Sequence, residues 1–166
     1  MTVHEHRDTS PRAVSFGIIT VSDSRGRESD SSGDLIDELV RGGGHSTVSR
    51  SLVKDDPEEI LAALRKAIEG GADAIVLTGG TGITSRDVTY ETIHPLLDKE
   101  MSGFGELFRH LSYPQIGSAS IMSRAFAGIT GGRAVFCLPG SPEAVRLALE
   151  QIILPEIGHI AREMRR

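Results

Sequence analysis

The stretch from Gly79 to Thr89, GGTGITSRDVT, contains residue types that suit a bound phosphate and a divalent cation. Its glycines, together with the preceding Thr78, can present backbone amides and hydroxyls to an anion, because glycine lets the chain approach a ligand closely. Arg86 adds a positive charge, and the Asp87 carboxylate offers the oxygen ligands that Mg²⁺ prefers. A structural explanation is equally open, in which Thr89 caps the next helix and Asp87 belongs to its solvated start.

The common phosphate-binding and hydrolase motifs do not occur in this sequence. A P-loop requires a lysine after its last glycine, whereas here Ile83 follows Gly82. A dinucleotide-binding fingerprint follows the first strand of its fold, but this glycine-rich loop follows the third predicted strand. Neither G-x-S-x-G nor H-E-x-x-H is present, which excludes the commonest serine hydrolase and zinc protease motifs.

Polar residues that follow the first two predicted strands form the second candidate group. Asp56 has a sufficient structural role as the N-cap of a helix beginning at Pro57, so Asp55 is the better candidate metal ligand. The loop after the first strand adds Ser22, Asp23, Asp30 and Ser32. Each of these residues is singly explained as part of a solvated loop, and only their convergence at one sheet edge predicts a site.

Short apolar runs and amphipathic segments alternate along the first half of the chain. The runs predict strands at residues 14–21, 45–53 and 74–78, and helices are predicted to begin near Gly33 and at Pro57. This alternation favours an α/β fold with a mostly parallel sheet and right-handed crossovers. Such a sheet brings the carboxyl ends of its strands to one edge, where ligands bind in open α/β folds.

The second half of the chain predicts a change of strand direction. Strands are expected at residues 125–130 and 133–138, and Gly131-Gly132 between them indicates a hairpin, hence one antiparallel strand. Ser141 is predicted to cap the helix that follows. The C-terminal helical segment is predicted to be interrupted at Pro155, because proline removes a helical hydrogen bond.

Length and composition limit the class of protein. The chain has 166 residues and a net charge of −5, which argues against a nucleic-acid partner, since phosphate backbones bind clustered Lys and Arg. No apolar run approaches the roughly 20 residues that span a bilayer, and the single cysteine excludes an internal disulfide. We therefore expect one cytoplasmic α/β domain over residues 14–166 with no membrane partner, preceded by a flexible tail over residues 1–13.

Seven segments, taken in order, resemble the molybdenum cofactor biosynthesis protein B and molybdopterin adenylyltransferase family, which has the molybdopterin-binding fold. They are ITVSDSR (19–25), DSSG (30–33), LVKDD (52–56), LTGGTGITSRDVTYE (77–91), GFGELFR (103–109), SRAFAG (123–128) and LPGSP (138–142). The combination of TGGTG with a downstream RDVT and LPGSP is not a generic loop pattern, which makes the resemblance specific.

The resemblance implies a fold, an assembly and an activity. The fold would be a three-layer α/β/α arrangement, and the chain would form a homo-oligomer, trimer or hexamer, with other molybdenum cofactor biosynthesis proteins as candidate partners. Adenylyltransferases of this family use ATP and Mg²⁺ to convert molybdopterin into adenylylated molybdopterin and pyrophosphate. The terminal phosphate of molybdopterin would attack the α-phosphorus of ATP, which requires crowded phosphates to be neutralised and held in line.

The resemblance also carries roles over to matching residues. The two catalytic carboxylates, which would position Mg²⁺ and the nucleotide, fall on Asp55 and Asp87. Phosphate or pterin would contact Gly79, Gly80, Thr81 and Gly82, alongside Thr78 and Arg86 from the residue analysis. The molybdopterin pocket would be completed by Ser123, Arg124, Pro139, Gly140 and Ser141, with Ser22 and Asp23 at its rim.

An alternative to the enzyme is a non-catalytic molybdopterin-binding oligomer that shields or delivers the pterin. Some family members lack the aspartate pair, and a carrier needs the amide nest but no paired carboxylates. This chain keeps RDVT at residues 86–89, which favours the enzyme. Its PGSP turn differs from the turn common among adenylyltransferases, so the turn leaves both alternatives open.

Overall fold

The computed structural model describes residues 13–24 and 26–166. The predicted tail over residues 1–13 therefore lies outside the described residues, apart from residue 13. None of the helices in the described ranges is both long and apolar enough to cross a membrane.

A six-stranded sheet with the order β2-β1-β3-β6-β5-β4 forms the centre of the molecule. Its strands are β1 (Ser15–Val21), β2 (Ser46–Val53), β3 (Ala74–Thr78), β4 (Lys99–Glu100), β5 (Phe126–Thr130) and β6 (Arg133–Leu138). Strands β2, β1, β3 and β6 pair in parallel, whereas β5 runs antiparallel to both of its neighbours. The mostly parallel sheet with one antiparallel strand is thus confirmed.

Helices cover both faces of this sheet, which confirms the three layers. The α-helices are α1 (Ser31–Gly42), α2 (Pro57–Glu69), α3 (Thr89–Ile93), α4 (Ser102–Ile116), α5 (Pro142–Ala148) and α6 (Leu154–Met164). A π-helical turn, Leu149–Ile153, joins α5 to α6, and a 3₁₀ segment, Gly117–Met122, follows α4. Buried side chains alternate along β3, so that Val76 packs in the core on one face and Leu77 in the core on the other.

Strand register brings four strand ends to one edge. Val21 of β1 is level with Val53 of β2, and Thr20 is level with Thr78 of β3. Thr78 is in turn level with Leu138 of β6. The loops that follow these four strands therefore meet at the carboxyl edge, as the parallel sheet predicts.

Several local predictions are confirmed and others need correction. Asp56 caps α2 and Ser141 caps α5, each through its side-chain oxygen. Helix α1 begins at Ser31 rather than near Gly33, because the buried Asp30 caps it by accepting the Gly33 amide. The short strand β4 was not predicted, since two exposed residues carry no periodicity.

The prediction that Pro155 interrupts the C-terminal helical segment is wrong. The helical path continues from α5 through the wide turn into α6, and Pro155 lies in the first turn of α6. Proline fits in this turn because its fixed φ of about −65° is already helical.

Candidate functional site

The glycine loop, residues 79–82, leaves β3 in a conformation that requires glycine at two consecutive positions. Gly79 has φ of 103° and Gly80 has φ of 66°, both in the region that other residues rarely adopt. A β-carbon on Gly79 would lie 2.1 Å from the carbonyl oxygen of Val21. The loop is therefore pressed against the end of β1, and its backbone lies directly at the carboxyl edge.

Hydrogen bonds hold this loop through its carbonyl groups. The Thr89 hydroxyl donates to the Gly79 carbonyl at 2.9 Å, and the Thr89 amide donates to the Gly80 carbonyl at 3.0 Å. Thr89 is the first residue of α3 and makes no side-chain cap, so the alternative explanation, in which Thr89 caps this helix, is wrong. Within the described part of the chain, the amides of Gly80 and Thr81 have no protein acceptor, which leaves two donors for a ligand.

Asp55 and Asp87 lie on either side of these amides. The Asp55 Oδ1 atom is 2.9 Å from the position that a β-carbon on Gly80 would take, and Asp87 Oδ2 is 2.8 Å from the equivalent position on Gly82. Two loops that are distant in sequence thus place a carboxylate at each end of the same tripeptide. The structure brings the proposed catalytic pair together, while the catalytic role of each residue stays a prediction.

The environments of the two carboxylates shift their pKa values in opposite directions. Burial raises the pKa of Asp55, and the negative charges of Asp23 and Asp87 raise it further. Burial alone would also raise the pKa of Asp87, but hydrogen bonds from Thr84 and Gly82 outweigh it and lower the pKa. The Thr84 amide donates to Asp87 Oδ2 at 2.8 Å, and the Thr84 hydroxyl donates at 2.6 Å. Asp87 is therefore held ionised, whereas the charge on Asp55 is disfavoured unless a cation is near.

Asp23, in the loop after β1, contacts residues in the loop after β2 and in the loop after β3. Its carboxylate accepts the Asp55 amide at 3.1 Å and the Arg86 Nε–H at 2.8 Å. The hydrogen bond from Arg86 is the largest cause of the lowered pKa of Asp23. Ser22, at the end of β1, donates its amide to the Val53 carbonyl at 2.9 Å. Arg86, predicted to bind phosphate, thus contacts a carboxylate beside the glycine loop.

A cavity of about 360 Å³ opens between the glycine loop and α4. Its polar wall consists of Gly80, Thr81, Gly82, Asp87, Ser123, Pro139, Gly140 and Ser141, all of them predicted site residues. Its other wall is largely apolar and consists of Phe108, Ile116, Met122, Ala144 and Leu147. Ser112, Gln115 and Glu143 complete the lining. A cavity with one amide-rich and one apolar wall suits a ligand that has a phosphate and a flat organic group.

Other predicted site residues lie around the cavity without lining it. Thr78 is fully buried, and its hydroxyl donates to the Pro139 carbonyl at 2.9 Å. The Ser32 hydroxyl donates to the Gly140 carbonyl at 2.7 Å. These two hydroxyls fix the turn at residues 139–141 against the glycine loop, which is a supporting role for Thr78.

Arg124 also supports the loop. Its Nε–H donates to the Gly82 carbonyl at 2.7 Å, and its Nη2 lies 3.3 Å from the Asp87 carbonyl oxygen. The same guanidinium forms an ion pair with Glu91 and lies over the Tyr90 ring, 5.2 Å from its centroid. The side chain is thus turned toward the loop backbone, although its neighbour Ser123 lines the cavity.

The apolar wall of the cavity was missed in the sequence. Phe108 lies on the helix α4, and a helical stripe that faces a core has the same periodicity as one that faces a cavity. Ile116 and Met122 are half exposed, and no local signal distinguishes them from ordinary surface residues.

Asp55 and Asp87 are the residues that fit a magnesium ion best. Their oxygens are hard ligands. Burial together with the negative charges of Asp23 and Asp87 raises the pKa of Asp55, and these nearby negative charges would attract a cation. Residues 13–24 and 26–166 contain no group of three or more His, Cys, Asp or Glu side chains that could hold a metal. Proteins usually bind Mg²⁺ through one or two carboxylates together with substrate phosphates, and Asp55 and Asp87 would supply two.

Comparison with known proteins gives a consistent match along the chain. Residues 17–159 match a family model described as a probable molybdopterin binding domain. Molybdenum cofactor biosynthesis protein B of Bacillus cereus is 48% identical over 100% of this chain and 99% of its own length. A molybdopterin adenylyltransferase of Pyrococcus furiosus is 49% identical over 99% of both chains. A crystal structure of a molybdenum cofactor biosynthesis protein B, 48% identical, superposes with a TM-score of 0.90 over 95% of this chain and 99% of the other.

Proposed function

This chain belongs to the molybdopterin-binding family of molybdenum cofactor biosynthesis, and we propose that it is a molybdopterin adenylyltransferase. The observation that carries the proposal is the pair Asp55 and Asp87 on either side of unpaired loop amides, beside a half-apolar cavity. A protein that only bound molybdopterin would need the amides and the cavity but not two carboxylates.

Molybdopterin would bind in the cavity, and ATP would bind beside the glycine loop. The flat pterin would lie against the apolar wall, and its terminal phosphate would accept hydrogen bonds from the amides of Gly80 and Thr81. ATP would lie toward Asp55 and Asp23, on the other side of the loop. The α-phosphorus would then be close to the attacking phosphate oxygen, and this proximity contributes much of the rate enhancement in such transfers.

The residues of this chain act mainly by positioning and by charge. The loop amides hold the attacking phosphate, and Asp87 is fixed in its ionised form by Thr84. Magnesium, bound through Asp55, Asp87 and the nucleotide, would neutralise charge on the phosphates. Pyrophosphate leaves with the bonding electron pair as the new phosphoanhydride bond forms, so atoms and charge balance.

The test is turnover with the purified protein. Molybdopterin, ATP and MgCl₂ are expected to yield pyrophosphate and adenylylated molybdopterin, and omission of either substrate or of MgCl₂ is expected to abolish product. If the protein binds molybdopterin but releases no pyrophosphate, it is the non-catalytic carrier instead.

We further propose that the chain acts in the cytoplasm as a trimer or hexamer and meets other proteins of the same biosynthesis. Exposed apolar side chains at the end of α4 and after it, including Tyr113, Ile116 and Ile121, support an assembly that covers them. Light scattering on the purified protein tests the oligomer, and a monomeric mass would contradict it.

A further inference from the structure

We propose that Arg124 is a positioning residue that locks the segment from Gly82 to Asp87 and thereby sets the place of the Asp87 carboxylate. The proposal rests on the proposed adenylyl transfer and assigns Arg124 a role different from substrate contact. It is carried by the contacts of one guanidinium with both ends of that segment.

The guanidinium of Arg124 contacts two backbone carbonyls, one at each end of the segment. Arg124 Nε–H donates to the Gly82 carbonyl at 2.7 Å, and Arg124 Nη2 lies 3.3 Å from the Asp87 carbonyl oxygen. The Arg124 amide adds a third bond, to the Thr81 carbonyl, at 3.1 Å. Residues 83–86 between the two anchored carbonyls are partly or largely exposed, so the segment has little core packing to hold it.

Neighbouring side chains hold Arg124 itself in place. Glu91 forms an ion pair with the guanidinium, and the Tyr90 ring lies beneath it. From the opposite side, Arg109 of α4 donates to the Ser123 carbonyl at 3.3 Å and to the Ala125 carbonyl at 3.4 Å. The donors of the Arg124 guanidinium are spread over three nitrogens in a rigid fork, which reaches the Gly82 carbonyl, the Asp87 carbonyl and Glu91 at once, whereas a lysine carries all its donors on one nitrogen.

Movement of this segment would displace the proposed catalytic carboxylate. Asp87 is attached to the backbone that Arg124 anchors, so its carboxylate would move when the Asp87 carbonyl loses its bond to Arg124. A shift of about 1 Å in a reacting group can cost about a hundredfold in rate. Loss of the lock would therefore lower turnover even though Arg124 contacts no substrate.

The experiment compares Arg124→Lys with Glu91→Gln in the full-length protein. For Arg124→Lys we expect kcat to fall about a hundredfold with little change in KM, and backbone amides of residues 82–87 to exchange hydrogen faster. Glu91→Gln keeps both bonds from Arg124 to the loop backbone, so its kcat is expected to fall about tenfold or less. For the truncation Arg124→Ala, added methylguanidinium is expected to restore part of the lost turnover.

Two results would overturn the proposal. A raised KM for either substrate with unchanged kcat would identify Arg124 as a substrate contact, and unchanged exchange of the 82–87 amides would show that no lock exists. The exchange measurement needs no turnover, so it judges the lock even if the wild-type protein proves inactive. Thermal unfolding of each variant shows whether it folds, and if Arg124→Lys does not fold, Arg124→Ala with added methylguanidinium tests the lock.

Discussion

Asp55 Oδ1 lies 2.9 Å from the position that a β-carbon on Gly80 would occupy. Only a residue without a side chain lets the carboxylate and the loop backbone approach so closely. The same missing β-carbon keeps the Gly80 amide within reach of a ligand beside Asp55. Glycine at this position therefore joins the acidic group and the anion site into one unit.

Gly80→Ala is expected to abolish turnover and to destabilise the fold. The new methyl group would meet the Thr89 hydroxyl oxygen at 2.3 Å, and a φ of 66° strains any side chain. We expect the free energy of unfolding to fall by about 1–3 kcal/mol in denaturant titration. The control is Gly103→Ala, where a β-carbon meets nothing within 4 Å and helix α4 gains a better helix former. Equal activity in Gly80→Ala and wild type would contradict this account of the loop.

Asp87→Asn is expected to lower turnover by about two to three orders of magnitude, which is typical for the loss of one electrostatic contributor. The amide oxygen of asparagine can still accept from Thr84, so the loop is expected to keep its shape. Asp98→Asn is a matched control, since Asp98 also accepts a loop amide, that of Gly131 at 2.8 Å, far from the cavity. Steady-state pyrophosphate release measures both variants, and an unchanged rate in Asp87→Asn would remove Asp87 from the mechanism.

Asp55→Asn is expected to stabilise the protein slightly at neutral pH while it lowers turnover. The folded pKa of Asp55 is raised, so its ionisation opposes folding above that pKa, and the penalty vanishes below the unfolded value near 3.9. We expect Tm to rise by about 1–2 °C at pH 7, since Asp55 is partly solvated, and to stay unchanged at pH 3.

Added MgCl₂ provides the companion measurement for Asp55. With ATP present, magnesium is expected to raise the Tm of the wild type more than that of Asp55→Asn, because a bound cation relieves repulsion between Asp55 and its acidic neighbours. The same rise in both proteins would show that Asp55 does not hold the metal.

Ile116→Ala and Met122→Ala are expected to weaken molybdopterin binding about threefold to tenfold without changing the KM for ATP. Both side chains line the cavity and are about half exposed, so their truncation has little effect on the core. Leu107→Ala is the control, because Leu107 is exposed on the same helix as Ile116 but does not line the cavity. Fluorescence titration with molybdopterin compares the three, and a weaker complex in the control alone would contradict the assignment of the wall.

The sequence was sufficient for features that depend on local pattern or on strand direction. The convergence of Asp55 and Asp87 followed from parallel strands, whose carboxyl ends share an edge. The contacts of Arg124 with Gly82 could not be predicted, because they join segments 42 positions apart through one side-chain rotamer. The apolar wall of the cavity could not be predicted for a different reason. Hydrophobic periodicity does not show whether an apolar helix face packs against other side chains or borders a cavity.

The π-helical turn before α6 explains the regular spacing of buried side chains in the C-terminal segment. Completely or almost completely buried residues recur every fourth position, at Val145, Leu149, Ile153, Ile157 and Ala161. A regular α-helix advances about 100° per residue, so each interval of four would rotate the stripe by about 40° away from the sheet. The π-helical turn contains one residue more than an α-helical turn, and this wider turn reverses much of the rotation. Deleting the exposed Gln151 would consequently let this turn close into a regular α-helix, in which Ile157 follows Leu149 by seven residues and stays within about 20° of the buried stripe.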